Sequence, residues 1–211
     1  MHIPDGFLQP AVAFAFVAAS AAVLAVAARR VDGALAGPRA PMVGVTAAGV
    51  FAAQMLDWPL PGGTSAHFVG GAFAAIVLGP HLGALAVAAV VGVQALVFAD
   101  GGILAVGANV WNLAIVEVYA GYAVYRLFSD RSEVGAAFAA GWAASTLGAV
   151  SAAIQLGTAP AFGYEVLAVV AIMGGAHLVL GVVEGAITAA VWRQLSAASP
   201  DGLGRIRGAE A

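Results

Sequence analysis

Long apolar runs broken by short polar clusters make up most of this chain, and the runs show no alternation of period two. A helix needs roughly 20 apolar residues to cross the hydrocarbon of a bilayer. The runs predict helices over about 8–28, 41–56, 67–78, 82–99, 109–128, 134–156 and 166–192. The third is short and rich in glycine, and Gly79-Pro80-His81 breaks it. Asp57-Trp58-Pro59 closes the second, with Trp58 at an interfacial position. The segment WPLPGGTSA predicts a loop, because its prolines cannot continue a helix. ADGGILAVGAN and QLGTAPAFGYE predict the other long loops. The expected fold is all-α: a polytopic transmembrane helical bundle of about seven helices. Residues 1–194 form one membrane domain, and 195–211 form a short polar tail.

Composition sharpens that picture. The chain is 62% hydrophobic and only 9% charged, against about 25% charged in soluble domains, so it belongs in lipid. The alternating ten-residue segments of a membrane barrel are missing. All basic residues are arginine, at 29, 30, 39, 126, 131, 193, 205 and 207. With about seven spans and the N-terminus outside, every arginine falls on the cytoplasmic side, so the C-terminus is expected in the cytoplasm. Small residues crowd AVAFAFVAASAAVLAVAA and GWAASTLGAVSAA. Such faces serve internal packing or docking on a partner membrane subunit. Cysteine is absent, which excludes disulfides, iron–sulfur clusters and thiolate zinc sites. Without lysine there is no phosphate-binding G-x-x-x-x-G-K-[ST] loop, so the chain cannot itself hydrolyse ATP by that route. No H-E-x-x-H or G-x-S-x-G occurs, and no enzyme activity is expected. A net charge of -3 without a basic stripe gives nucleic acid nothing to hold.

The first residues carry the sharpest chemistry. MHIPDGFL puts a histidine directly after the initiator, with no basic patch ahead of the apolar run and no A-x-A-like cleavage site. The N-terminus is expected to be retained, and the bulky His2 to discourage removal of Met1. The α-amine, the amide nitrogen between Met1 and His2, and the His2 Nδ1 can close a five- and a six-membered ring on one ion. That places three nitrogens in a plane with one corner open, a geometry that suits Ni(II) or Cu(II) better than Zn(II). The predicted topology brings His67, after the flexible GGTSA, to the same outer face, where it can supply the fourth nitrogen. His81 falls at the inner boundary as an interface or capping residue. Glu117, His177 and Glu184 lie within the membrane, where ionisable groups are costly and tend to be functional. His177 and Glu184 are seven apart and share a helix face, with Glu184 towards the inner end. They are expected to form a polar lock between helices, to support the metal ligands, or to serve coupling. Asn109 and Asn112 open the fifth helix, where each caps it or hydrogen-bonds a metal ligand. Asp5, Asp57 and Asp100 give the outer face a negative bias.

MHIPDGFL, PGGTSAHFVGGAFAAIVLGP, QALVFADGGILAVGANVWNLAIV and GGAHLVLGVVEGAITAAV, in that order, resemble the CbiM/NikM family. Its members are substrate-binding membrane components of energy-coupling-factor cobalt and nickel transporters. The resemblance covers residue 1 to about 192. It implies metal ligation by Met1, His2 and His67, with Ni(II) or Co(II) as bound substrate and no prosthetic group. It also implies a transmembrane coupling subunit, two cytoplasmic ATPase subunits and a small accessory membrane subunit, all at the cytoplasmic membrane of a prokaryote. GTSAH leans slightly towards nickel. Glu117-Val118 departs from the family pattern, which has a glycine-proline pair there. The alternative from a different class is a stand-alone channel or proton-coupled exporter that uses Glu117, His177 and Glu184 as an intramembrane relay. A structural subunit without substrate is the third expectation.

Overall fold

The computed structural model describes residues 1–31, 40–61 and 64–198. Helix α1 (Pro10–Arg30) starts with a proline at its first turn, where a missing N–H costs nothing, and ends on Arg29 and Arg30. Helix α2 (Ala40–Gln54) follows, then strands β1 (Asp57–Leu60) and β2 (Thr64–His67). The rest is helical: α3 (Gly71–Leu78), α4 (Pro80–Val93), α5 (Val106–Val110), α6 (Glu117–Phe128), α7 (Glu133–Gly157) and α8 (Val166–Ala198). Each predicted apolar run contains a helix. Among the described residues, four helical stretches are long and apolar enough to cross a membrane: Pro10–Arg30, Pro80–Phe98, Glu133–Gly157 and Val166–Ala198. The tail expected over 195–211 begins as the last turn of α8, and 199–211 lie outside the described residues.

Three expectations change. WPLPGGTSA, expected as a loop, includes both strands of an antiparallel hairpin that pairs Asp57 with His67 and Leu60 with Thr64. Its prolines exclude a helix, but a two-stranded sheet has only edges, and edges tolerate proline. His67 therefore ends a strand instead of opening a helix. Helix α3 begins only at Gly71, and its eight residues rise about 12 Å, far short of a bilayer. The connector turns at Gly70, whose φ of +74° lies in the left-handed region that suits glycine. Finally, Asn109 and Asn112 do not cap a helix, since α5 starts at Val106 behind Ala105.

Two π-helical stretches, Gln94–Phe98 and Trp111–Val116, continue α4 and join α5 to α6. Such insertions gather at functional sites. These two frame the loop 99–105 at the same end as the N-terminus.

The small-residue face of α7 serves packing inside the molecule. A Cβ on Gly141 would stand 2.9 Å from Thr188 Oγ1 on α8, and one on Gly181 would stand 3.0 Å from the Trp142 carbonyl. The matching face of α1 is a narrow stripe that buries Ala13, Ser20 and Ala27, with Phe14 and Val26 left outward. His81, at the first turn of α4, meets Tyr119 at 2.9 Å and joins two helices as expected of an interface residue. Arg29, Arg30, Arg126, Arg131 and Arg193, the described basic residues, all lie at the end of the bundle remote from Met1.

Glu117 is wholly buried, and its oxygens have no hydrogen-bond partner among the described residues. It fits only because two glycines face it. A Cβ on Gly148 would overlap its carboxyl group, and one on Gly71 would stand 2.8 Å from its Cβ. Gly148→Ala is expected to cost about 1–3 kcal/mol through overpacking. Combining it with Glu117→Ala should recover most of that loss. Thermal unfolding in detergent measures both, and an unaffected single variant would contradict the packing.

Candidate metal-binding site

The N-terminal segment is laced to the start of α5 by its main chain. Asn109 clasps the Ile3 peptide from both sides: its Oδ1 accepts the Ile3 N–H at 2.7 Å and its Nδ2 donates to the Ile3 carbonyl at 3.0 Å. Gly102 N–H donates to the same carbonyl at 2.9 Å. The Asp5 carboxylate accepts from the amides of Ile103, Leu104 and Ala105 at 2.8–3.1 Å. Those amides lead into the α5 N-terminus, where negative charge is favoured. A Cβ on Gly102 would overlap Asp5, so the close approach needs glycine there. Thus MHIPDG closes on the loop 99–105, and Met1 and Ile3 are buried.

This lacing delivers the amine and His2 to the hairpin. The Met1 amine donates to the carbonyl and the Oγ of Ser65, both at 3.0 Å. The His2 ring lies against the His67 ring with centroids 4.7 Å apart and planes inclined by 18°. His67 Nδ1 stands 2.8 Å from the Phe68 carbonyl. A carbonyl only accepts, so Nδ1 carries the hydrogen and Nε2 carries the lone pair. That Nε2 is buried and has no partner among the described residues. His2 Nδ1 faces the Asp100 carboxylate at 3.3 Å, while its Nε2 is buried beside the Gln94 side chain and has no hydrogen-bond partner among the described residues.

Burial sets the protonation of all three bases. It lowers the Met1 amine to about 5, although the negative charges of Asp57, Asp100 and Glu117 partly resist. It lowers His2 to about 3, helped by the nearby ammonium form of Met1. His67 is pushed well below its ordinary value by burial, by the N-terminal charge and by His2. At neutral pH these nitrogens hold lone pairs and no extra protons, as metal ligands must. Asp100 is shifted up, first by burial; the amine opposes this and Asp57 adds to it. A cavity of about 190 Å³, lined among others by Met1, His2, Asp57, Ser65 and Met173, adjoins the site. Among the described residues no three His, Cys, Asp or Glu side chains converge tightly enough to hold a metal. A site here has to draw on the α-amine and main-chain nitrogen as well.

The structure brings together Met1, His2 and His67, with Asn109 behind them. Asn112 lies apart in a polar cluster with α7, where its Oδ1 accepts from Ser151 at 2.7 Å and from Gln155 at 2.6 Å. His177 donates from Nδ1 to the Met173 carbonyl one turn back, at 2.8 Å, and its buried Nε2 has no partner among the described residues. Glu184, expected near the inner end of its helix, sits midway along α8 and accepts from Val69 N–H at 3.2 Å and Gly70 N–H at 2.8 Å. It is bound to the connector after His67, not to the far boundary. Ser65 and Gln94 were not anticipated from the sequence. Ser65 is two residues from His67 and shares its side of a strand, a signal that only the hairpin makes visible. Gln94 was visible as a lone amide in an apolar run.

Comparison with known proteins bears on this arrangement. The family model "Cobalt uptake substrate-specific transmembrane region", CbiM, matches residues 2–202. A relative from Haloquadratum walsbyi, named "Putative metal transport protein", is 57% identical over 95% of this chain and 92% of its own. One from Archaeoglobus fulgidus, named "Putative fused nickel transport protein NikMN", is 52% identical over 95% of this chain and 67% of its own. A crystal structure described as a transition metal transporter superposes with a TM-score of 0.90 at 34% identity, covering 95% of both chains. With the hairpin and every described helix inside the matched region, the chain belongs to the CbiM family of cobalt-uptake, substrate-specific transmembrane proteins.

Proposed function

We propose that this chain is the substrate-capture component of an ATP-driven energy-coupling-factor importer for Ni(II) or Co(II), with nickel slightly favoured. The ion is held by the Met1 amine, the Met1–His2 amide nitrogen, His2 Nδ1 and His67 Nε2. One observation carries this reading: the Met1 amine and the His2 and His67 rings are buried together, and His67 Nε2 has no partner among the described residues. Four nitrogens in a plane suit nickel. Ligation by Nδ1 moves the His2 hydrogen to Nε2, where the Gln94 carboxamide is at hand, and leaves Asp100 to balance charge.

The N-terminus faces outward and the arginines face the cytoplasm. The ion is taken up outside, enclosed by the outer loops and released inward after a reorientation driven by partners. Those partners are a transmembrane coupling subunit, two cytoplasmic ATPase subunits and a small accessory membrane subunit, in the cytoplasmic membrane of a prokaryote. The missing phosphate loop supports a separate ATPase. Nickel flux through vesicles that contain only this chain, without nucleotide, would favour the channel reading and count against capture.

Calorimetric titration of Ni(II) and Co(II) on the purified protein tests the ligand set. One equivalent should bind, and His67→Ala should remove most of the affinity. The pH dependence has a definite sign. Deprotonating the amide releases a proton at every pH, so affinity should fall about tenfold per unit as pH drops. Below about 5 the fall should steepen, because the Met1 amine then takes up a proton. Equal affinity at pH 5 and 7.5 would rule this ligand set out.

A further inference from the structure

A single peptide group joins His67 to a carboxyl group on α8. The Phe68 carbonyl accepts the His67 Nδ1–H at 2.8 Å. The N–H at the other end of that peptide, on Val69, donates to Glu184 Oε2 at 3.2 Å. The next peptide is held the same way: Gly70 N–H donates to Glu184 Oε1 at 2.8 Å, and the Val69 carbonyl accepts from Gln54 Nε2 at 2.8 Å. Glu184 is 4% exposed, in the middle of an apolar helix. A carboxyl group is expensive there unless something requires it.

We propose that Glu184 is a positioning residue for His67, acting through the Phe68–Val69 peptide; this rests on His67 being a ligand as proposed above. Hydrogen bonds in series polarise one another. An acceptor on the Val69 N–H enriches the Phe68 carbonyl, which tightens its hold on the Nδ1 hydrogen. That keeps the lone pair on Nε2 and makes it a better donor to the ion. Metal-bound histidines usually receive this support from a directly contacting carboxylate or carbonyl. Here the carbonyl makes the contact, and the carboxyl group acts one peptide further back. Both Glu184 oxygens are used on consecutive amides, so the group also fixes where the strand hands His67 over to α3.

The test is nickel titration of the full chain with its native N-terminus, together with the visible absorption of the bound ion. Glu184→Gln keeps one acceptor and turns an NH₂ group towards the other amide. It is expected to weaken nickel binding about 10- to 100-fold, the usual effect of losing a supporting partner, and to shift the absorption band. Glu184→Asp keeps the carboxyl group and should recover part of both. Thr188→Val, buried one turn further along α8, should change neither. If Glu184→Gln matches the wild type in affinity and absorption, whatever its unfolding temperature, the relay is wrong. A wild-type chain that binds no nickel would instead remove the ligand assignment, and the relay with it. Should Glu184→Gln not fold, the Val69 amide proton of the native protein gives the answer. It should resonate well downfield of neighbouring amides, and an ordinary shift would overturn the proposal.

Discussion

A chain carrying two extra residues ahead of Met1 is expected to lose nickel binding by at least about 1000-fold, or about 4 kcal/mol. Acetylating the amine should do the same. Two costs combine. The modification turns the amine into an amide and removes one nitrogen ligand. It also has no room: Met1 is 2% exposed, and its amine already touches both the carbonyl and the hydroxyl of Ser65. An added peptide must push the N-terminal segment off the hairpin or draw Met1 out of its cavity, and either movement parts the His2 and His67 rings. Calorimetry on matched native and extended proteins measures the effect, with thermal unfolding to confirm that both are folded. Equal binding by the two would place the ion elsewhere, with His177 and Glu184 the next candidates.

Asn109→Ala should give the second large loss, although Asn109 touches no proposed ligand atom. Its side chain makes both of its hydrogen bonds to the Ile3 peptide, at 2.7 and 3.0 Å, in a place where Ile3 is fully buried. A buried amide left without a partner costs about 1–3 kcal/mol. The Ile3 carbonyl keeps Gly102, but the Ile3 N–H keeps nothing. The segment carrying Met1 and His2 then detaches more readily, and that equilibrium is charged against metal binding. Nickel affinity should fall by up to roughly 150-fold, matching about 3 kcal/mol. Asn109→Asp keeps an acceptor for Ile3 N–H and should lie between. An unchanged affinity in Asn109→Ala would mean that the other lacing, chiefly Asp5, holds the N-terminal segment alone.

Much of this was legible from hydropathy alone, because lipid forces the main chain into helices wherever apolar residues run on. Helices α1, α7 and α8 fall close to their predicted positions. The hairpin was not legible, since proline argues against helix without arguing for strand. The two π-helical stretches left no mark either, because a change of helical period inside a uniformly apolar run alters no pattern of polar and apolar positions. Met1, His2 and His67 stood out because nitrogen donors are scarce in this chain. Ser65 did not, because a serine among glycines and threonine signals a turn just as well. The placement of Glu184 differs for a related reason: its position in the sequence does not say which loop folds down to meet it.

The fit between Glu117 and the glycines facing it also constrains how this chain came to be. An alanine at 148 would overlap a buried glutamate at 117, so the path that has glycine at 148 before the carboxyl group appears is the one that avoids an overpacked intermediate. The reverse path stays open, since trimming Glu117 only leaves a void. Glycine first and glutamate second is the order expected in any lineage that carries both. A branch with glutamate at 117 and a larger residue at 148 should have shifted its helices to make room.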